Sequence, residues 1–142
     1  MKVHNVLFES LEDIKNVLTE AGLVDGVSLS ETERKNSKKV IYWYISVRTA
    51  EDSKKTTYVT YRSTNFSPFQ YGDGKPISYK ADYQLDVFTN KENIKDLVTD
   101  LNNAFEGNGW TFELSNAEIE YDVANKLFTY PFKMSKVFYD NN

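Results

Sequence analysis

The run "ADYQLDVFTNKENIKDLVTDLNNAFEGNGW", Ala81 to Trp110, changes hydrophobic period once, and that change constrains the fold more than any other stretch of the chain. Ala81, Tyr83, Leu85 and Val87 alternate with Asp82, Gln84 and Asp86, the period of a strand with one apolar and one polar face. Further on, Ile94, Leu97, Val98, Leu101, Ala104 and Phe105 recur at spacings of three and four. They form one stripe of a helix, with Lys95, Asp96, Asp100 and Asn103 off it. Thr89-Asn90-Lys91-Glu92 has the form of a capping box, in which Thr89 caps the helix and Glu92 returns the bond. Gly107-Asn108-Gly109 is expected to end it, because glycine and asparagine accept the left-handed conformation of a C-terminal cap. A helix with such a stripe needs a sheet beneath it.

The flanking segments supply that sheet. Leu11, Ile14, Leu18 and Ala21 predict a short first helix, with Ser10 as its cap, Glu12 and Asp13 in its first turn and Gly22 as its stop. Gly22 to Lys39 reads mostly as loop, with a short strand around Val27 to Leu29. "KVIYWYISV", Lys39 to Val47, is rich in β-branched and aromatic residues and is apolar on both faces, a strand covered on both sides. The polar segment Arg48 to Lys55 predicts an antiparallel return into Thr56 to Arg62. Ser63 to Tyr79, with Pro68, Pro76, Gly72 and Gly74, reads as a loop carrying Phe66, Phe69 and Tyr71. These aromatics either fold back over the sheet or reach a neighbouring subunit. Trp110 to Leu114, Ala117 to Asp122 and Leu127 to Tyr139 are further strands, and Pro131 places the last at a sheet edge or a bulge. The fold class that follows is α+β, an antiparallel β-sheet with two amphipathic helices packed against it, in one domain over residues 1–142.

Chemistry is sparse. The absence of cysteine removes disulfides, thiolate metal sites and thiol nucleophiles together. His4 is the sole histidine, so a zinc site would have to be built from carboxylates around one imidazole, a poor match to zinc. "GDGKP", Gly72 to Pro76, lacks the P-loop pattern and precedes a strand, so it is a turn. Asp82 and Asp86 lie four apart, roughly 13 Å along a strand, too far to share a proton or a metal. Glu118, Glu120 and Asp122 form a similar polar row. No cofactor, metal or catalytic residue is expected. No apolar run is long enough to span a membrane, and the Met1 end shows no secretory signal, so synthesis in the cytoplasm is expected. The net charge of -4 gives no general affinity for nucleic acid, and Arg34, Lys35, Lys38 and Lys39, beside Glu31 and Glu33, read as a solvated turn. Aromatics are abundant at 15%, as suits both cores and protein interfaces.

From Tyr79 to Tyr139 the chain resembles the tail-completion, or tail terminator, family of head-tail joining proteins of tailed bacteriophages. "ADYQLDVFT" leads into "NKENIKDLVTDLNNAFEGNGW" and then "YDVANKLFTYPFKMSKVFY": strand, amphipathic helix, glycine break, acidic segment and final strand. The resemblance implies an α+β virion structural protein. It would form a ring, usually hexameric, at the top of the tail tube, stopping tube polymerisation and joining the tail to the head-side connector. DNA would pass through an acidic lumen without specific binding. The strands around Asp82 to Phe88 and Leu127 to Phe138 would then carry the ring scaffold. The segments Arg48 to Lys55 and Ser63 to Tyr79 would meet the tube or connector. Phe66, Phe69, Tyr71, Asp82, Gln84, Asp86, Lys133 and Lys136 are the candidate interface residues. Two other classes remain open: a ligand- or peptide-binding module using the aromatic segment 63–79, and an enzyme working with carboxylates alone.

Overall fold

A computed structural model describes residues 3–25, 41–45, 57–90, 93–115, 119–124 and 126–139. In chain order these form α1 (Val3–Glu20), β1 (Val24–Asp25), β2 (Ile41–Ile45), β3 (Thr57–Gly72), β4 (Lys75–Thr89), α2 (Lys95–Gly107), β5 (Thr111–Leu114), β6 (Glu120–Asp122) and β7 (Leu127–Tyr139). The strands make one sheet in the order β1-β2-β3-β4-β7-β5, with β6 also paired to β7. β3 to β7 pair antiparallel throughout, and both helices pack on one face, so the expected α+β class is observed. None of the described helices is long and apolar enough to cross a membrane.

The strand-to-helix reading holds at its centre. Ala81, Tyr83, Leu85 and Val87 are buried and the residues between them half-buried, while Leu101, Ala104 and Phe105 of α2 are buried over them. Ile94, Leu97 and Val98 pack on the same core. From α1 come Val6, Ile14, Val17 and Leu18, and from β7 Phe132, Met134 and Phe138. Burying each such side chain contributes about 1.5–3 kcal/mol before the cost of ordering the chain.

Both helices close in the same way. At the end of α1 the Gly22 N–H bonds the Thr19 carbonyl and the Leu23 N–H bonds the Leu18 carbonyl; at the end of α2 Gly109 bonds Glu106 and Trp110 bonds Phe105. Each is a Schellman motif, with a left-handed glycine (φ 93° at Gly22, 87° at Gly109) followed by a buried apolar residue packed on the last turn.

The helix starts differ from expectation. α1 begins at Val3, seven residues before Ser10, which lies inside the helix and is fully buried. Its hydroxyl donates to the Leu7 carbonyl at 2.7 Å and meets the Tyr83 phenol at 2.7 Å. Ser-Leu-Glu-Asp imitates a cap, yet here the serine satisfies a buried tyrosine. Likewise Thr89 ends β4, buried, with its hydroxyl 3.0 Å from that of Thr57, and α2 starts six residues later. α2 begins at Lys95, whose N–H bonds Asn93 Oδ1 at 3.0 Å, and Glu92 lies outside the described residues.

Three strand expectations are also corrected. β2 pairs with β3 parallel, Ile41 opposite Thr57, so there is no antiparallel return; side-chain alternation carries no information on strand direction. Ser63 to Tyr79 is not a loop but the distal part of a β3–β4 hairpin. It turns at Asp73 (φ 54°) and Gly74 (φ 77°), with Gly72 opposite Lys75, the signature of a two-residue type I′ turn. Register shifts between Ser63 and Asn65 and again from Pro68 to Tyr71 break the period-two pattern, which is why this stretch looks irregular in sequence. β7 is not an edge: it lies between β4 and the short β5 and β6. Pro131 falls between the β6-paired and β5-paired stretches, and its carbonyl accepts from Ser115 N–H on that side, so the missing N–H faces a gap in the ladder. The expected strand at Val27 to Leu29, the basic cluster at 34–39, the segment 48–55 and Glu118 lie outside the described residues.

The Ser10–Tyr83 contact generates a test. Ser10→Ala leaves the buried phenol without this partner and is expected to cost about 1–3 kcal/mol in urea unfolding. Tyr83→Phe should cost less, since Ser10 keeps the Leu7 carbonyl. Burial raises the Tyr83 pKa above its ordinary 10.0, and the Ser10 hydrogen bond offsets part of that rise. The folded chain therefore holds the proton after the unfolded chain has lost it. This contribution to stability is complete below the unfolded value and is lost as pH rises through the folded one. Unfolding followed from neutral to strongly alkaline pH should show that loss, and Tyr83→Phe should flatten it.

Candidate functional site

The middle of the sheet face away from the helices is a polar lattice set by strand register, while toward the start of β3 the same face carries the buried Tyr58, stacked on Phe88 at 4.8 Å. Arg62, Gln84, Lys133 and Glu113 stand side by side across β3, β4, β7 and β5, and Asn65, Asp82, Ser135 and Thr111 form the neighbouring row. Asp82 accepts hydrogen bonds from Ser135 Oγ and, at 3.4 Å, from Asn65 Nδ2, with Lys80 Nζ at 4.0 Å. Asp86 accepts from Gln84 Nε2 at 2.9 Å. The two acids are thus held by separate partners and do not converge. Lys133 lies 3.5 Å from Glu113, an exposed pair that contributes little to stability.

Lys136 belongs to the other face. Its ammonium donates to Asp13 Oδ2 at 2.9 Å, the oxygen that also accepts the Trp110 indole N–H at 2.8 Å, and it lies 5.1 Å from the Phe138 ring centre. Of the candidate interface residues, Lys136 is therefore engaged inward. Phe66 is too: half-buried, it stacks on Tyr79 at 5.4 Å, so one of the three aromatics folds back over the sheet. Phe69 and Tyr71 point to solvent, Tyr71 at 63% exposure.

They do not stand alone. The hairpin places Ile77 against Gly72, and β4–β7 pairing brings Tyr139 opposite Ser78, so exposed Phe69, Tyr71, Ile77 and Tyr139 all lie toward the distal end of the sheet, with Ile77 and Tyr139 on opposite faces. Among the described residues, β3 has no β2 partner beyond Tyr61 and β7 has no β5 partner beyond Ser135. Among the described residues the distal sheet is three-stranded, β3-β4-β7, as far as Ser78, and then the β3–β4 hairpin alone. The sequence reading missed Ile77 and Tyr139; a type I′ signal at Asp73-Gly74 would have placed Ile77 across from its neighbours.

Further exposed apolar residues, also missed, are Leu114, opposite Phe132 in mid-β7, and Ile119, Tyr121 and Val123 toward the start of β7, with Val123 at 77% exposure. Tyr121 packs against Phe128 at 4.6 Å. The alternation of Ile119, Tyr121 and Val123 was visible in the sequence, but the strand is too short to reveal what its apolar face meets.

An open cleft of about 1180 Å³ beside β5 is lined by residues including Phe69, Lys80, Trp110, Lys133 and Lys136. It mixes both signs of charge with aromatic edges. Among the described residues no group of histidine, cysteine or acidic side chains could hold a metal ion. Compared with protein-family models and with curated proteins, the chain matches none.

Because Tyr71 and Phe69 touch solvent, Tyr71→Ser and Phe69→Ser should each change unfolding free energy by less than about 0.5 kcal/mol. Phe66→Ala, which removes a stacked and half-buried ring, should cost about 1–3 kcal/mol on the same measurement. Equal costs at the three positions would place all three rings in the core.

Proposed function

We propose that this chain is a structural part of a bacteriophage tail: a tail terminator, or head-tail joining protein, that assembles as a ring at the top of the tail tube. The observation that carries the reading is the distal part of β3, β4 and β7, paired into the sheet and carrying exposed Phe69, Tyr71, Ile77 and Tyr139. Large apolar side chains held in water on a stiff ribbon are costly for a solitary chain and useful for one that is covered on assembly. The strand-to-helix pattern on which the family resemblance rests forms the centre of the core. The polar sheet face interleaves Arg62 and Lys133 with Asp82, Asp86 and Glu113, so it offers no continuous basic stripe to phosphates. That suits a part past which DNA slides. The partners in this reading are further copies of the chain, the tail tube and the head-side connector, and its location is the virion tail.

The binding-module alternative draws on the cleft beside β5. Of the three aromatics on which it depends, Phe69 alone lines that cleft, because Phe66 is stacked on Tyr79 and Tyr71 lies outside. It is the weaker reading.

Light scattering over a wide concentration range, with negative-stain images of the same sample, tests the proposal. The expected result is a closed ring with a central channel, promoted by added tail tubes. A chain that stays monomeric at high concentration and does not cap tubes would remove the assembly reading.

A further inference from the structure

Asn108-Gly109 is the sole Asn-Gly pair in the sequence, and the fold sets it where the ends of the two helices are tied together. In such a pair the glycine amide nitrogen can attack the asparagine side-chain carbonyl carbon, because glycine has no Cβ to hinder the approach. The new N–C bond closes a succinimide ring as the Cγ–Nδ2 bond breaks, and the proton of the attacking nitrogen leaves with Nδ2 as ammonia. Water then opens the ring at either carbonyl, giving aspartate or isoaspartate. The balance is one water taken up and one ammonia released, with no redox partner.

The folded geometry blocks the first step. Ring closure needs Asn108 Cβ and the Gly109 nitrogen eclipsed about the Cα–C bond; at φ -107° and ψ 16° the nitrogen is turned away from the side chain. Its N–H is already donated to the Glu106 carbonyl at 3.1 Å in the Schellman closure. The Asn108 amide is held as well, Nδ2 donating to Glu20 Oε2 and to the Ala104 carbonyl, each at 2.7 Å. Lys136 lies against Gly109, and Trp110 beyond it is buried. These locks release together when the end of α2 opens.

The product cannot set them again. Both bonds from Nδ2 need a donor, and an aspartate carboxylate in its place has no proton to give. It would face the Glu20 carboxylate and the Ala104 carbonyl at the negative end of α2. Isoaspartate adds a methylene to the main chain just before Gly109, which displaces that glycine from the left-handed position (φ 87°) on which the closure depends.

We propose that Asn108 is a deamidation site gated by the fold: closed in the native chain, open when the α1–α2 clip lets go, and after conversion a permanent block to re-forming the clip. The site is a property of the single chain and does not depend on the tail reading.

The full-length chain is held at mildly alkaline pH in native buffer and in guanidinium chloride, then digested and mapped by mass spectrometry through the tryptic peptide Asp96–Lys126. Conversion in the denatured sample should centre on Asn108. In the native sample it should run at least about tenfold slower, because there it waits on local opening. Asn108→Asp should lower the urea midpoint further than Asn108→Ala, which removes the donor without adding charge. Glu20→Gln should raise the midpoint of Asn108→Asp and not that of Asn108→Ala. If Asn108→Asp does not fold, recovery of folding on adding Glu20→Gln supports the clip, and a double variant that stays unfolded overturns it. Equal rates in the two buffers, or conversion spread evenly over Asn102, Asn103, Asn108 and Asn116 in the denatured chain, would overturn the gated site. An Asn108→Asp midpoint at or above that of Asn108→Ala would overturn the block.

Discussion

Asp13 Oδ2 ties three parts of the chain together. It accepts the Trp110 indole N–H and the Lys136 ammonium, so one carboxylate oxygen of α1 fixes the residue that closes α2 and a residue on the inward face of β7. Around it Trp110 meets Tyr83, Phe105 and Phe138 edge-on, at 5.8, 6.1 and 5.8 Å, the arrangement that ring quadrupoles favour. The apolar stripes of the two helices specify only that they lie on the sheet. The polar clip fixes where, because an indole N–H and an ammonium taken partly out of water need a partner in one place. A second clip, from Asn108 Nδ2 to Glu20 Oε2 at 2.7 Å, joins the ends of the helices.

Legibility in sequence followed the purity of the local pattern. β4 and the stripe of α2 were readable because each keeps one period over its full length, and the Gly107-Asn108-Gly109 break announces its own φ requirement. The distal hairpin was not readable, because its bulges shift side chains from face to face and mimic a loop. Ser10 and Thr89 show a different failure. Residues suited to capping are equally suited to bonding a buried hydroxyl, and only the fold decides which donors are nearby. At the candidate site, Phe69 and Tyr71 were recognisable as aromatics among turn residues, while Phe66 was indistinguishable from them until register placed it opposite Ala81.

The two faces of the sheet divide the work. The inner face carries the core and both helices, and its aromatic rings interlock from Phe132 through Phe112 to Phe105. The outer face is held by hydrogen bonds between side chains of neighbouring strands, as Asp82 shows with Ser135 and Asn65. The outer face is not polar throughout, because near the start of β3 the fully buried Tyr58 stacks on Phe88 at 4.8 Å there.

Sequence distance separates the hairpin from the helix that covers it. The turn at Asp73-Gly74 joins strands already adjacent in the chain, and a loop of two residues closes at little entropic cost. Ser10 and Asp13, by contrast, find Tyr83 and Lys136 across separations of 73 and 123 residues. Closing those spans is unrewarded until β4 and β7 are paired, so the sheet is the template and α1 its late-arriving cover.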